Sequence, residues 1–174
     1  MTVRIRTAQL ELVAKSKADV QAMIDAMTPY EKAQMSAEWL AHFAKSSSPD
    51  PWIHGFTAVR RDDSAAVGTG GFAAPPAGGV VEIAYTVGEQ FRGKNYATEI
   101  GHAMVAWVFA ASDIEIVRAH TLPDGRASQR VLEKCGFERV GDIDHPDDGL
   151  VWRFEKYRRT FDGPGHGVDI VSLD

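Results

Sequence analysis

The sequence predicts a single α/β domain whose mixed sheet contains one parallel pair of strands among antiparallel neighbours. Its 174 residues suit one hydrophobic core, and 44% apolar with 25% charged residues is ordinary globular composition. Apolar spacing switches between strand and helix periods in the order β-α-α-β-β-β-α-β-α-β-β. The central β-loop-α-β unit requires a crossover helix, which makes its two strands parallel. Short turns join most of the other strands, which are therefore antiparallel.

The N-terminal elements are one strand followed by two helices. Alternating apolar residues predict a strand over residues 4–13. Ser16 then caps a helix over residues 18–27, and Thr28 caps a second helix that carries apolar side chains as far as Phe43. We assign residues 1–160 to the domain. The glycine-rich residues 161–174 are expected to be a flexible C-terminal tail.

The remaining elements alternate strands with two further helices. A hairpin over residues 52–61 and 65–74 and a strand over 80–87 precede a polar loop, residues 88–95. Apolar periodicity predicts a strong helix over 96–111 and a short one over 127–135, which Gly136 ends. The other predicted strands cover residues 115–121, 137–143 and 150–157.

Composition excludes several classes of function. Cys135 is the only cysteine, so an internal disulfide is excluded and a reducing cytoplasm is favoured. No apolar run approaches the roughly 20 residues of a membrane helix, and the first residues lack the layout of a signal peptide. The net charge of −5 argues against general nucleic-acid binding. We therefore expect a cytoplasmic protein with no nucleic-acid or membrane partner, and the sequence leaves its oligomeric state open.

The loop before the long helix has the features of a phosphate site. Unpaired N–H groups at a helix start, together with the helix dipole, attract anions. Gly93 has no Cβ to obstruct a phosphate, and Asn95 tolerates a left-handed backbone. Arg92 and Lys94 add positive charge. This loop therefore predicts a cradle for a diphosphate, which several ligand families would fit.

Two nucleotide-binding motifs compete for this loop. Gly88 to Lys94 approaches the P-loop pattern G-x-x-x-x-G-K-[ST], but Asn95 replaces the hydroxyl that would hold magnesium. A P-loop protein would also need further parallel βα units. The dinucleotide pattern G-x-G-x-x-G is absent. A P-loop nucleotide binder therefore remains the weaker alternative.

The same loop, Arg92-Gly-Lys-Asn-Tyr-Ala-Thr-Glu, resembles the acetyl-CoA loop [QR]-x-x-G-x-[GA] of the GNAT superfamily of N-acetyltransferases. It is most similar to the branch that contains the ribosomal-protein N-terminal (alanine/serine) acetyltransferases. Residues 122–137 resemble that branch's second signature, P-x-N-x-A-S-x-R-V-L-E-K-x-G-F. With the strands around Gly70-Gly71-Phe72 and residues 81–85, the resemblance covers residues 52–157. It implies the GNAT fold, with a splayed parallel strand pair.

The chain departs from the family pattern at two positions. Asn95 stands where the family usually has glycine, and Gly125 replaces an asparagine that contacts the CoA arm. The contact of that asparagine with the CoA arm is therefore lost here, or another residue makes it. Gln90 offers an alternative register for the loop, but Arg92 places Ala97 and Thr98 at the helix start, as in the family.

The resemblance implies an enzyme that uses acetyl-CoA as co-substrate, without a metal, to acetylate a primary amine on a protein N-terminus or a small molecule. Glu82 would be the general base, usually through water, unless it forms a structural ion pair. Ser128 would help to protonate the leaving thiolate, unless it only bonds backbone at its helix start. The residues implied in cofactor binding are Tyr85, Thr86, Val87, Arg92, Gly93, Lys94, Asn95, Tyr96, Ala97, Thr98, Gly125 and Lys134.

Other side chains are secondary candidates. His54 and His120 are predicted on strands beside the site and rank below Glu82. Arg126, Arg130 and Lys134 form a stripe at helical spacing that either faces solvent or assists the CoA phosphates. Cys135 is expected in the core. A catalytically silent acyl-CoA-binding module is a further alternative function.

Overall fold

The computed structural model describes residues 2–146, 148–165 and 167–173. It confirms the predicted mixed α/β class. Within these ranges the strands are β1 (Thr2–Arg6), β2 (Leu10–Ala14), β3 (Phe56–Arg60), β4 (Ala66–Phe72), β5 (Val80–Val87), β6 (Ile116–Thr121), β7 (Glu138–His145), β8 (Gly149–Tyr157) and β9 (Asp169–Leu173). The helices are α1 (Lys17–Asp25), α2 (Pro29–Ala33), α3 (Ala37–Lys45), α4 (Pro51–His54), α5 (Tyr96–Ala111) and α6 (Arg126–Lys134).

The strands form one sheet in the order β7-β8-β6-β5-β4-β3-β2-β1-β9. Every neighbouring pair in that order is antiparallel except β5 and β6, which are parallel and joined through α5. The predicted parallel pair inside an antiparallel sheet is therefore confirmed. Its crossover helix lies against the sheet and forms the centre of the core.

The N-terminal region has more elements than the sequence predicted. The single strand expected over residues 4–13 is a hairpin, because Thr7 N–H donates to the Leu10 carbonyl at 2.9 Å and turns the chain. Ser16 does cap α1, as predicted, and forms a capping box with Asp19. The second helix is split into α2 and α3, since the Ser36 hydroxyl accepts from Trp39 N–H and starts a new helix.

Trp52 and His54 lie on a helix, so the prediction that they belong to a strand is wrong. Asp50 caps α4 through a side-chain bond to Trp52 N–H, with Pro51 in the first turn. The helix ends at Gly55, whose φ of +68° favours glycine. A Cβ at Gly55 would stand 2.5 Å from the Gly70 carbonyl oxygen, so α4 can approach β4 only through glycine.

The C-terminal half follows the prediction closely until the tail. Strand β5 and helix α5 have the predicted bounds, and β6, α6, β7 and β8 lie within two residues of theirs. Residues 161–174 were expected to be a flexible tail outside the domain, but Asp169–Leu173 forms β9, which pairs antiparallel with β1 over all five residues of each strand. The folded unit therefore extends beyond residue 160.

Helix α5 carries the centre of the core. Ile100, Met104 and Val108, at i, i+4 spacing, are 0% exposed and join a cluster with Ile5 and Phe56 from the sheet. Burying each such side chain stabilises the fold by roughly 1.5–3 kcal/mol. Helix α5 therefore packs against β4 and β5, and its first turn lies near the end of β5. No helix in the described part of the chain is long and apolar enough to span a membrane.

Candidate active site

A cleft of about 730 Å³ opens between the end of β5, the first turn of α5 and the face of α6. It exists because β5 and β6 pair only over Val80–Glu82 and Ile116–Arg118 and then separate. The residues that line it are Tyr85, Thr86, Val87, Phe91, Arg92, Gly93, Asn95, Tyr96, Ala97, Thr98, Ala127, Ser128, Arg130, Val131 and Lys134.

The loop at the cleft has the backbone of an anion site. Gly93 and Asn95 have φ angles of +79° and +68°, so the left-handed conformation predicted for Asn95 is present. Asn95 precedes α5 without capping it by its side chain, so the N–H groups of the first turn are left open to the cleft. A Cβ at Gly93 would meet no atom within 4 Å, so the space beside this loop is open. Helix dipole and N–H groups together favour an anion here.

The charges around the cleft are positive. Arg92, Arg130 and Lys134 line it, and none of the described residues that line it carries a carboxylate. The one acidic residue in the first turn of α5, Glu99, is buried, and it accepts hydrogen bonds from Thr7 Oγ1 and from Gln9 N–H at 2.8 Å. The Glu99 carboxylate is thus held by hydrogen bonds from the turn between β1 and β2. Basic side chains from the loop and from α6 therefore face the same space.

The splayed edge of β5 offers backbone groups to the cleft. Ala73 N–H donates to the Glu82 carbonyl and Gly88 N–H donates to the Val67 carbonyl, so even-numbered residues of this segment bond to β4. Because backbone groups alternate in direction along a strand, those of Tyr85 and Val87 point the other way. The β6 pairing has ended by then. An extended ligand in the cleft would find the edge of a strand with which to pair.

The structure brings together most of the predicted cofactor-binding residues. All of those from β5, the loop and α5 line the cleft except Lys94, whose carbonyl accepts from Gln9 Nε2 at 3.3 Å. Gly125 does not line it; there a Cβ would stand 3.1 Å from the Leu122 carbonyl oxygen. Ser128 and Lys134 line it from α6. Of the three basic residues at helical spacing on α6, Arg130 and Lys134 therefore line the cleft, whereas Arg126 does not.

Glu82 lies outside this cleft, in a hydrogen-bonded chain. Glu82 Oε1 is 2.7 Å from His120 Nδ1, and Arg153 Nε donates to His120 Nε2 at 3.0 Å. Since Nε2 is an acceptor from arginine, the proton of a neutral His120 is on Nδ1 and is donated to Glu82. The three side chains line a separate cavity of about 290 Å³ on the sheet.

A third cavity, of about 250 Å³, lies between the other two along the same sheet. It shares Tyr85 and Thr86 with the cleft and Ala73 with the Glu82 cavity. Ala84 also lines it, two residues from Glu82, and residues i and i+2 of a strand face the same side about 6.6 Å apart. We name it the sheet pocket, because β4 and β5 of the sheet supply most of its lining. The Glu82 side chain therefore lies on the same face of β5 as that of Ala84.

Cys135 is buried in the core, as predicted. Its thiol donates to the Thr98 carbonyl at 3.5 Å, and burial raises its pKa to about 12. A thiol with such a pKa holds its proton at neutral pH and is a poor nucleophile. In the part of the chain that the structure describes, no three His, Cys, Asp or Glu side chains are grouped so that they could hold a metal ion.

Sequence reasoning missed Arg153 and Lys15. Arg153 reaches His120 because β8 lies next to β6, with Arg153 opposite His120 in the register. Lys15 lines the sheet pocket and is only 8% exposed. The buried positions of β2 are Leu10, Leu12 and Ala14, so strand alternation placed Lys15 on the opposite face and gave no signal of its burial. His54 also lines this pocket, but from α4.

Comparison with known proteins identifies the protein family to which the chain belongs. Residues 3–138 match the family model described as acetyltransferase (GNAT) domain, and the chain belongs to this family. A curated relative, the uncharacterized N-acetyltransferase YjdG of Bacillus subtilis, is 30% identical over 89 residues. That alignment covers 51% of each chain, so the chain matches only about half the length of this relative.

Solved structures share the fold. An acetyltransferase of the GNAT family from Bacillus anthracis superimposes with a TM-score of 0.65 at 18% identity, over 90% of this chain and 99% of that one. The ribosomal-protein-S5-alanine acetyltransferase from Vibrio fischeri gives 0.63 at 14% identity, over 90% and 97%. RimL, a ribosomal L7/L12 α-N-protein acetyltransferase solved in complex with coenzyme A, gives 0.61 at 18% identity, over 87% and 95%.

Proposed function

We propose that the protein is an acetyl-CoA-dependent N-acetyltransferase that transfers the acetyl group directly to a primary amine. The observation that carries this proposal is the junction of two spaces at Tyr85 and Thr86: a basic cleft beside an open strand edge, and a pocket on the sheet. Membership of the GNAT family and the coenzyme A in the RimL structure agree with it. The lone, buried thiol supports a cytoplasmic location.

Acetyl-CoA supplies an activated thioester that an amine can attack. The N–H groups of the first turn of α5 and the side chains of Arg92 and Arg130 would bind its diphosphate. The backbone edge at Tyr85 and Val87 would pair with its pantetheine arm as an added strand. A backbone N–H near Val87 would stabilise the oxyanion that forms on attack. Holding both reactants at one junction lowers the barrier through proximity.

Two side chains would move protons. Glu82 would take the proton of the attacking amine through water, because its carboxylate is on the same face of β5 as Ala84, which lines the sheet pocket where the amine would bind. His120 holds that carboxylate in place through its Nδ1–H. Ser128 would return a proton to the leaving thiolate from the first turn of α6. The acceptor is a protein N-terminus or a small-molecule amine.

The first test is calorimetric titration with acetyl-CoA, beside Mg-ATP, followed by a CoA-release assay with amine acceptors. We expect one-to-one binding of acetyl-CoA and turnover. Binding without turnover for any amine would favour the silent acyl-CoA-binding module. A preference for Mg-ATP would favour the P-loop alternative and overturn the proposal.

A further inference from the structure

Lys15 is a largely buried lysine whose ammonium has no partner among the described residues. The residue is 8% exposed and lines the sheet pocket. Its ammonium makes no hydrogen bond and no ion pair with any residue in the described ranges, although Asp19 attracts it. Within those ranges the fully buried side-chain nitrogen without a partner is Arg4 Nε, so Lys15 Nζ keeps access to the open space of the pocket. The burial lowers the pKa of Lys15 below its usual range.

The other side chains of the pocket do not neutralise Lys15. Trp39 and Phe72 are apolar walls, and Trp39 Nε1 already donates to the Ile53 carbonyl at 3.2 Å. His54 Nδ1 accepts from Asp50 N–H at 3.1 Å, and burial lowers the pKa of His54, which favours its neutral form. No Asp or Glu is among the described residues that line the pocket. Lys15 therefore supplies the formal charge of this lining.

The Lys15 ammonium is therefore the group of this pocket with which an anionic ligand would form a charge-assisted hydrogen bond. The amine end of an acceptor must reach the junction at Tyr85 and Thr86, and the rest of the acceptor extends toward Lys15. Resting on the proposed function, we infer that the acceptor is an amine that also carries a carboxylate, and that Lys15 binds this carboxylate. A second ammonium on the acceptor would face Lys15 and be repelled.

The test compares probes that share one amine and differ at the far end. We would titrate the CoA-saturated protein with ω-amino acids of increasing chain length, with their carboxamides and with the corresponding diamines. All three groups present a similar primary amine, so differences report the far end alone. The variants are Lys15→Met, which keeps the apolar stem of the side chain, and Lys45→Met as a matched control, because Lys45 is exposed on α3.

We expect the acids to bind at least about tenfold more tightly than the diamines, as for a charge-assisted hydrogen bond of about 1.4 kcal/mol or more. Lys15→Met should abolish this preference, because it removes the ammonium that contacts the carboxylate, whereas Lys45→Met should leave the preference unchanged. If the acids bind no better than the diamines, or if Lys15→Met keeps their preference, the inference is wrong.

Its failure is distinguishable from failure of the proposed function. The CoA-release assay on the same probes tests acetyl transfer. Acid-selective binding without acetyl transfer would support the role of Lys15 and contradict the proposed acetyltransferase activity. Acetyl transfer to diamines in preference to acids would support the activity and contradict the role of Lys15.

Discussion

Glu82 Oε1 and His120 Nδ1 are 2.7 Å apart, and this contact links β5 to β6, the two strands of the parallel pair. The pair sits at the last registered position before β5 and β6 separate, since Glu82 is opposite Arg118 and His120 follows two residues later. It therefore fixes a carboxylate at the base of the opening between the strands.

Glu82→Gln should lower kcat by about 10²–10⁴-fold, because the amide cannot take a proton from the acceptor amine. Its oxygen can still accept from His120, so the fold and acetyl-CoA affinity should persist. The measurement is steady-state CoA release together with calorimetric titration. Glu138→Gln, an exposed change on β7, is the control. If Glu82→Gln turned over normally while His120→Asn did not, the base would be His120.

Arg92→Ala should weaken acetyl-CoA binding by about ten- to a hundredfold, because a charge-assisted hydrogen bond to phosphate contributes about 1.5–3 kcal/mol. Lys94→Ala is the matched control within the same loop, and it should have a smaller effect because Lys94 does not line the cleft. Titration at two salt concentrations would check the electrostatic origin, since the difference should shrink at high salt. Equal effects of the two substitutions would contradict the geometry of the loop.

The turn between β1 and β2 supports the loop through Glu99. Glu99→Ala would remove the acceptor of the Gln9 N–H and one of the two acceptors of the Thr7 hydroxyl, which also donates to the Leu10 carbonyl. Because the net contribution of a hydrogen bond to a charged group is about 1.5–3 kcal/mol, we expect the free energy of unfolding to fall by about that amount. Acetyl-CoA affinity should fall as well, since Gln9 also holds the Lys94 carbonyl. Urea unfolding measures the first effect, with the exposed Glu38→Ala as control.

The sequence predicted some elements to the residue and missed others, for physical reasons. The bounds of β5 and α5 are encoded locally, by alternation that ends at Gly88 and by the left-handed loop that starts the helix. The break at Ser36 was hidden because apolar spacing continues across it. The contacts of His120 with Glu82 and Arg153 depend on strand register across 38 and 33 positions of sequence, which no local pattern reports.

His54 should make stability depend on pH. Burial holds the pKa of His54 below its ordinary value of about 6.5, so the unfolded chain binds a proton that the folded protein does not. The free energy of unfolding should therefore be full above pH 6.5 and fall as the pH drops below it, by at most about 1.4 kcal/mol per pH unit. Urea unfolding between pH 5 and 8 measures this slope. His54→Asn, which keeps an acceptor for Asp50 N–H, should flatten it, and the more exposed His42→Asn should not.

Cys135 should resist alkylation in the folded protein. With burial raising its pKa to about 12, the thiolate fraction at pH 8 is on the order of 10³-fold lower than for an ordinary thiol of pKa about 8.5. Reaction with iodoacetamide, followed by intact mass, should be slow in buffer and rapid in urea. Bound acetyl-CoA should slow it further if alkylation requires unfolding, because a ligand that binds only the native state lowers the unfolded population. Fast labelling of the native protein would show that the thiol reaches solvent and that α5 and α6 pack less tightly than described.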